Sequence, residues 1–269
     1  MTRSTPSPRT GTQSLQRASL LLRELSTRLT GGFTLTELAS QCGLDRTTAH
    51  RMLDCLTREG LVSRDPARRY ALGPVAYELG LASAARFDPR AVCAPHLQRI
   101  CDRTGDAVFL SVRSGYDTAC VDRRDGPVTL KALVVEVGAR RSLVSTAGGI
   151  AVLIATPPDE RRRIVQACMT RLRRAEAAHR DGILRMLRRS ESAGYGLNCD
   201  DITPGISAIA VAIRSGAGAP VGAITVASTS QRFDERRRRR IFDMIVTEAA
   251  RLDGRLLPAT PGAAAQQVA

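Results

Sequence analysis

The sequence predicts an α+β protein with two parts, a small helical unit at the N-terminus and a larger unit that combines strands with helices. Apolar residues recur at three- and four-residue steps through the first 56 positions, which is helical spacing. Short β-branched runs bounded by glycine occupy much of the stretch from residue 108 to 227, and helical spacing flanks them. A length of 269 residues accommodates one large domain or two modest ones.

Composition narrows the class of partner. The net charge of +14 favours a polyanionic partner without identifying it, and every basic residue except Lys131 is arginine. Seven cysteines without a C-x-x-C spacing and three separated histidines argue against a disulfide framework and a zinc site, so we expect no metal and no cofactor. No apolar run reaches the roughly 18 residues of a membrane helix and no signal core opens the chain, so we expect a cytoplasmic protein that does not bind membranes.

The chain begins with a segment rich in Ser, Thr, Pro and Arg, and we expect residues 1–12 to form a flexible arm. Leucines at helical spacing then predict a helix over 14–29. The run Thr30-Gly31-Gly32 should end it, because glycine adopts the left-handed conformation that closes helices.

Residues 33–56 predict two short helices joined by a turn at Gly43, with Thr34 or Thr36 capping the first. The second helix buries one apolar face and leaves polar side chains on the outside, concentrated at its N-terminal end. This arrangement is typical of a helix-turn-helix, whose second helix enters the major groove of DNA. The outward residues are Arg46, Thr47, Thr48, His50 and Arg51.

A β-hairpin is predicted over 59–73, with Asp65-Pro66 opening its turn. Arg64, Arg68 and Arg69 lie at its tip, where they could contact phosphate or a minor groove as the wing of a winged helix does. A helix pair alone is weak evidence for DNA binding. The ordered set of helix, helix-turn-helix and basic hairpin within about 60 residues is much rarer.

The rest of the chain predicts a linker helix over 74–88, a second domain over 89–257 and a tail over 258–269. Helices are expected at 89–104, 147–155, 158–171, 176–193 and 234–257. Strands are expected at 108–112, 118–122, 128–137, 195–198, 207–213 and 221–227. The five consecutive arginines Arg236–Arg240 should form a solvated helix face.

Several short motifs carry a family resemblance. They include Leu35-Thr36-Glu37-Leu38-Ala39, Thr48-Ala49-His50-Arg51-Met52-Leu53, Gly194-Tyr195-Gly196-Leu197 and Pro204-Gly205-Ile206-Ser207. With these motifs the sequence resembles the IclR family of bacterial transcriptional regulators from about Gln13 to Leu257. The resemblance implies a winged helix-turn-helix over 13–73, a linker helix and a GAF/PAS-like effector-binding domain. It also implies a homodimer or dimer of dimers, more often a repressor, on a pseudo-palindromic double-stranded DNA operator.

The resemblance also implies roles for site residues. Arg46 and Arg51 could donate to guanine edges or phosphates, and Thr47 and Thr48 could contact a phosphate or a thymine methyl. His50 could pack and contact phosphate rather than read bases. The effector pocket, carried over position by position, comprises Leu130, Leu133, Ala147, Gly148, Asn198, Ala208, Thr225 and Ala227.

Four positions depart from the family pattern. An Asp is usual at Asn198, a Cys at Ala208, a Ser at Ala227 and a Lys at Ile150. The pocket therefore loses an acid, a thiol, a hydroxyl and a cation, which favours a larger and less polar small-molecule effector, although an anion stays possible. Two alternatives to a ligand-responsive regulator are a DNA-binding regulator whose C-terminal domain only oligomerises and, more remote, an enzyme acting on a small metabolite. We expect that the protein is not an enzyme and has no catalytic residue.

Overall fold

The computed structural model describes residues 12–28, 30–85, 88–127, 135–172 and 177–256. The chain divides into two compact units, Met1–Arg86 and Phe87–Ala269. No helix in these described ranges is both long and apolar enough to cross a membrane. Positions 1–11 of the predicted arm, the predicted tail and positions 128–134 of the predicted strand lie outside the described residues.

The first unit is a winged helix-turn-helix, which confirms the predicted fold of this part. Its helices are α1 (Gln13–Leu25), α2 (Leu35–Gln41), α3 (Arg46–Arg58) and α4 (Pro74–Ala84), and its strands are β1 (Val62–Arg64) and β2 (Tyr70–Leu72). Leu21, Leu38 and Leu53 form the centre of its core. The first helix is shorter than predicted, because the Ser26 and Thr27 hydroxyls bond back to backbone carbonyls of the last turn and end the helix at Leu25.

The wing is built from three chain segments. Strands β1 and β2 pair antiparallel, and Phe33 bridges Tyr70 through two backbone hydrogen bonds of 2.9 and 2.7 Å. The bridge attaches the segment before α2 to the hairpin. It was not predicted, because its two residues are distant in the sequence and a single bridging residue leaves no periodic pattern.

The described residues of the second unit form a six-stranded antiparallel sheet, with the order β5-β4-β3-β8-β7-β6, and five helices. The strands are β3 (Ala107–Ser114), β4 (Asp117–Arg124), β5 (Arg140–Ser142), β6 (Gly196–Cys199), β7 (Ile206–Arg214) and β8 (Pro220–Thr229). The helices are α5 (Pro89–Thr104), α6 (Ala147–Ala155), α7 (Pro158–Arg171), α8 (Ala177–Ala193) and α9 (Glu235–Leu252). The α+β class is confirmed.

The two faces of the sheet differ in side-chain size. Ile209 and Ile224 face α5 and α9, where large aliphatic residues fill the space. Ala208, Ala223 and Ala227 face α6 on the opposite side, with α7 and α8 completing that layer. Because strand residues alternate between faces, these alanines share one side of β7 and β8, and their small side chains leave room beside α6.

Two predicted boundaries in this unit are wrong. Positions 135–137 belong to no strand, because the chain turns at Gly138 (φ +93°), whose amide donates to the Cys120 carbonyl. The three-residue strand β5 pairs with β4 instead. Helix α9 ends at Leu252 rather than 257, since the Asp253 carboxylate accepts from the Arg214 amide and draws the chain away from the helix axis.

Candidate functional sites

Side-chain caps fix the start of both helices of the helix-turn-helix. Thr34, rather than Thr36, caps α2: its hydroxyl accepts from the Glu37 amide while the Glu37 carboxylate accepts from the Thr34 amide. Asp45 caps α3 by accepting from the Thr48 amide at 2.8 Å. The N-terminus of α3 therefore begins at Arg46, the first of the predicted DNA-contacting residues.

Helix α3 presents one polar face to solvent. Ala49, Leu53 and Leu56 are buried on the inner side. Four predicted residues are exposed on the outer side, and these are Arg46, Thr47, His50 and Arg51. Thr48 is half-buried at the flank. The structure thus brings together the donors that the sequence singled out.

The wing arginines differ in their surroundings. Arg68 is exposed at the tip in a left-handed conformation (φ +61°), and exposed Arg64 lies over the Tyr70 ring with its guanidinium carbon 5.2 Å from the ring centroid. Arg69 is half-buried instead: its Nη1 donates to the Gly31 and Gly32 carbonyls at 3.2 Å. Its guanidinium joins the wing to the loop before α2, a contact between residues far apart in the sequence.

Glu37 connects that loop to α2. Its carboxylate accepts from Arg28 Nη1 at 3.3 Å and lies 3.9 Å from Arg69 Nη1. The hydrogen bond from the Thr34 amide is the largest cause that lowers the pKa of Glu37 to about 2, and the Thr34 hydroxyl and Arg28 lower it further. Glu37 is therefore ionised at neutral pH and holds the segment between α1 and α2 in place.

A cavity opens between the sheet, the N-terminus of α6 and the β6–β7 loop. It measures about 640 Å³ when the solvent-filled space at its mouth is counted. Six of the eight predicted effector residues line it, and these are Ala147, Gly148, Asn198, Ala208, Thr225 and Ala227. The other two, Leu130 and Leu133, lie outside the described residues.

The first turn of α6 forms one wall of the cavity. Thr146 caps the helix by accepting from the Gly149 amide at 2.9 Å. Gly148 approaches β8 closely, and a Cβ at this position would lie 2.8 Å from Thr225 Oγ1. Glycine thus lets the helix start stand against the sheet, where first-turn amides and the helix dipole favour a negative group.

Asn198 lines the cavity but its amide group is engaged within the protein. Nδ2 donates to the Ile206 carbonyl at 3.1 Å, and Oδ1 accepts from the Asp201 amide at 3.0 Å. Both bonds brace the loop between β6 and β7. A carboxylate cannot make the first bond, which is a physical reason for Asn where an Asp was expected from the resemblance.

The cavity lining includes polar side chains that the sequence did not assign to it. The expectation that it lacks a cation is wrong, because Arg141 belongs to its lining. Hydroxyl-bearing residues also line it, and these are Ser111, Ser145, Thr146, Thr203 and Thr225. Arg141 lies next to β4 in a short edge strand, and no local pattern distinguished it from the other arginines of the chain.

Comparisons with known proteins agree with both halves of this architecture. Residues 14–66 match the IclR helix-turn-helix domain, and residues 82–253 match the bacterial transcriptional regulator IclR C-terminal domain. The chain belongs to the IclR family of bacterial transcriptional regulators. The predicted resemblance is confirmed.

Individual relatives cover most of this IclR-family chain. The HTH-type transcriptional regulator Rv1719 of Mycobacterium tuberculosis is 30% identical over 224 residues, 83% of this chain and 85% of that protein. The glycerol operon regulatory protein of Streptomyces coelicolor is 30% identical over 225 residues, 82% and 86% of the two chains. The fold is also similar to the crystal structure of an IclR homologue from Microbacterium hydrocarbonoxydans complexed with 4-hydroxybenzoate. The TM-score is 0.63 at 22% sequence identity, and the match covers 91% of this chain and 99% of that one.

Much of the arginine in the second unit of this IclR-family regulator neutralises buried carboxylates. Among the described residues of this unit, four acidic side chains are nearly inaccessible, and each forms ion pairs with two arginines. The sets are Asp106 with Arg232 and Arg237, Asp122 with Arg90 and Arg124, Asp201 with Arg185 and Arg189, and Glu248 with Arg99 and Arg251. Eight arginines of this unit therefore have an internal ion-pair partner, although their side chains stay partly exposed.

The arginine run at the start of α9 shows this directly, and the prediction of a solvated face is wrong for part of it. Arg237 Nη2 lies 2.7 Å from Asp106 Oδ2 and Arg238 Nη1 lies 3.7 Å from Cys199 Sγ, whereas Arg236, Arg239 and Arg240 are exposed. Glu248 joins α9 to α5 in the same way, and the hydrogen bond from Arg99 is the largest cause that lowers its pKa.

Proposed function

We propose that this transcriptional regulator reads an operator with α3 and the wing, and that a small organic acid in the cavity of the second unit changes its affinity for that operator. The observation that carries the proposal is the cavity itself: a helix N-terminus, Arg141 and a set of hydroxyls converge on an otherwise apolar floor. Such a combination is suited to an anion with a small apolar body.

The DNA-reading part of the proposal rests on exposure. Arg46, Thr47, His50 and Arg51 share the solvent face of α3, and half-buried Thr48 stands at its edge. Arg64 and Arg68 extend from the wing, where guanidinium groups would contact phosphates. We assign Arg69 to positioning the wing, because its Nη1 is engaged by the Gly31 and Gly32 carbonyls.

A homodimer is part of the proposal. Tyr77, Leu79 and Leu81 of α4 are 70%, 59% and 55% exposed, and Leu15 of α1 is 68% exposed. Several large apolar side chains exposed along one short helix are typical of a surface that a second protein covers. One helix-turn-helix reads only a few base pairs, so two copies on a pseudo-palindromic site in the bacterial cytoplasm would supply the missing specificity.

The effector class follows from the cavity lining. Phe109, Val135, Ile202 and Ile206 supply apolar surface, Arg141 supplies the cation, and no carboxylate belongs to the described part of the lining. A monocarboxylic acid would place its anionic end near the α6 N-terminus or Arg141 and its body against the sheet. This class is smaller and more polar than the ligand expected from the sequence.

A gel-shift titration tests the proposal. The probe is the DNA upstream of the protein's own coding region, with and without a panel of monocarboxylic acids that includes 4-hydroxybenzoate, the ligand of the solved homologue. We expect at least one acid to release the DNA, which is the behaviour of a repressor, and Arg141→Gln to require more of it while binding DNA normally. Val121→Ala on the far side of β4 is a control that should respond like the wild type.

The second candidate is a ligand-independent regulator whose C-terminal unit only oligomerises. The internal hydrogen bonds of Asn198 favour it, because one donor and one acceptor site of this cavity residue are already engaged within the protein. Tight binding to the upstream DNA that no acid of the panel changes would support this candidate and contradict the proposed effector response.

A further inference from the structure

We propose that Asp54 is a specificity-determining residue of the DNA interface, whose carboxylate accepts a hydrogen bond from the exocyclic amino group of a cytosine in the major groove. The inference rests on the proposed function, because it takes α3 as the helix that enters the groove. Asp54 is not among the donors that the sequence singled out, since an acid is an unexpected residue on a surface that faces phosphates.

The register of α3 places Asp54 on the DNA-reading face. Thr47, His50, Arg51 and Asp54 follow the spacing i, i+3, i+4, i+7, so they lie on one side of the helix. In homeodomains, whose recognition helix also lies in the major groove, residues at this spacing contact the bases. At 1.5 Å per residue, Asp54 lies about 10 Å further along the helix than Thr47, which is about three base-pair steps.

The Asp54 carboxylate is available to a partner from outside. The side chain is 62% exposed, on the side of α3 away from buried Ala49 and Leu53. Its ion-pair partner is Arg58, one turn later, whose Nε lies 3.6 Å from Oδ2 and whose own side chain is 73% exposed. This separation is beyond hydrogen-bond distance, so the pair leaves the acceptor capacity of the carboxylate unused.

Other acids of the first unit have local structural tasks. Asp45 caps α3, Glu37 completes the capping box of α2, and Asp65 accepts from the Arg69 amide in the wing turn. Asp54 lies in the third turn of α3, where a carboxylate caps nothing. There its charge repels every phosphate backbone equally, and a base that donates a hydrogen bond offsets that repulsion only at the correct sequence.

Cytosine is the base that such a residue selects. Its N4 amino group is a donor in the major groove, and Asp or Glu is the side chain that accepts from it. Asparagine instead pairs with the N6 and N7 atoms of adenine. We therefore expect the Asp54→Asn variant to prefer a different base at one position of the operator.

The experiment uses duplexes of about 30 base pairs that the full-length wild-type chain selects from a randomised pool, together with every single-base-pair substitution of the consensus. Binding is measured by fluorescence anisotropy at one fixed salt concentration. We expect Asp54→Ala to lose about tenfold discrimination at one base pair. We expect Asp54→Asn to move the preference at that pair from cytosine to adenine.

Two controls separate base reading from charge. Glu59→Gln removes a neighbouring exposed acid, and Arg58→Ala removes the partner of Asp54. Both should change affinity by one common factor for all duplexes and leave base preference intact. The proposal is overturned if both Asp54 variants keep the wild-type preference at every position, or if Arg58→Ala reproduces their loss of preference. A wild-type chain that selects no duplex from the pool contradicts the proposed function itself.

Discussion

Arg237→Ala is the substitution that most directly tests how the arginine-rich second unit is stabilised. Arg237 Nη2 donates to Asp106 Oδ2 and to the Thr104 carbonyl, each at 2.7 Å. Asp106 is fully buried, and its remaining partners are the Ser228 hydroxyl at 2.7 Å and Arg232 at 3.4 Å. The substitution therefore leaves a buried carboxylate with its weaker cation.

The magnitude follows from these contacts. Removing one partner of a buried ion pair costs about 3–5 kcal/mol, because the other charge stays desolvated. Arg232 still neutralises part of the Asp106 charge. We therefore expect Arg237→Ala to lower the free energy of unfolding by about 3 kcal/mol. Asp106→Asn removes the buried charge itself and leaves two half-exposed arginines that water can solvate, so we expect about 1–2 kcal/mol.

Urea unfolding of the full-length chain, followed by far-ultraviolet circular dichroism, measures these free energies. The chain has no tryptophan, and urea leaves ion pairs unscreened whereas guanidinium chloride does not. Arg236→Ala is the matched control, since it removes the adjacent, exposed arginine of the same run and should change stability by less than about 0.5 kcal/mol.

The double variant Arg237→Ala/Asp106→Asn gives the decisive comparison. If the cost of Arg237→Ala comes from the stranded Asp106 carboxylate, adding Asp106→Asn recovers about 1 kcal/mol or more relative to Arg237→Ala alone. Additive losses in the double variant, or equal effects of Arg237→Ala and Arg236→Ala, would refute the reasoning.

Three further predictions concern the loop at the cavity and the first unit. Asn198→Asp should cost about 1–3 kcal/mol and lower the thermal midpoint, because a carboxylate cannot donate to the Ile206 carbonyl; an unchanged midpoint would contradict the bracing role. The pKa of Glu37 is lowered from 4.5 to about 2, so its stabilising contribution is complete above pH 4.5 and is lost as the pH falls towards 2. Urea unfolding at pH 5 and pH 3 should show a smaller loss for Glu37→Gln than for the wild type. Arg68→Ala should lower the salt slope of DNA binding by about 1. Arg69→Ala should leave that slope unchanged and reduce stability, and the reverse result would reassign the two arginines.

The helix-turn-helix could be predicted from the sequence because the patterns that indicate it are local. Helical spacing, the glycine turn and the capping residues Thr34 and Asp45 all act within one or two turns of chain. The outward face of α3 follows from the same spacing. Boundaries were less predictable: α1 ends four residues before its predicted end, because side-chain bonds to backbone carbonyls compete with helical continuation.

For the cavity, the sequence identified some lining residues and the tertiary structure was needed for others. Gly148 and Thr225 were identified through family motifs, and both line it. Arg141 was not identified, because a cation that lines a cavity has the same local sequence pattern as a solvated one. Asn198 was identified as a departure from the family pattern, but only its two hydrogen bonds across the β6–β7 loop explain the amide.

By itself, the sequence determined the family, the fold class and the residues that α3 turns outward, since these depend on periodicity and on motifs contiguous in the chain. The tertiary structure decided which arginines bind partners within the protein. Arg69 reaches a carbonyl 38 residues away and Arg237 reaches a carboxylate 131 residues away, whereas Arg68 and Arg236 beside them stay in solvent. A long, always-charged side chain is compatible with either fate, and the choice depends on whether the fold brings a buried acceptor within its reach.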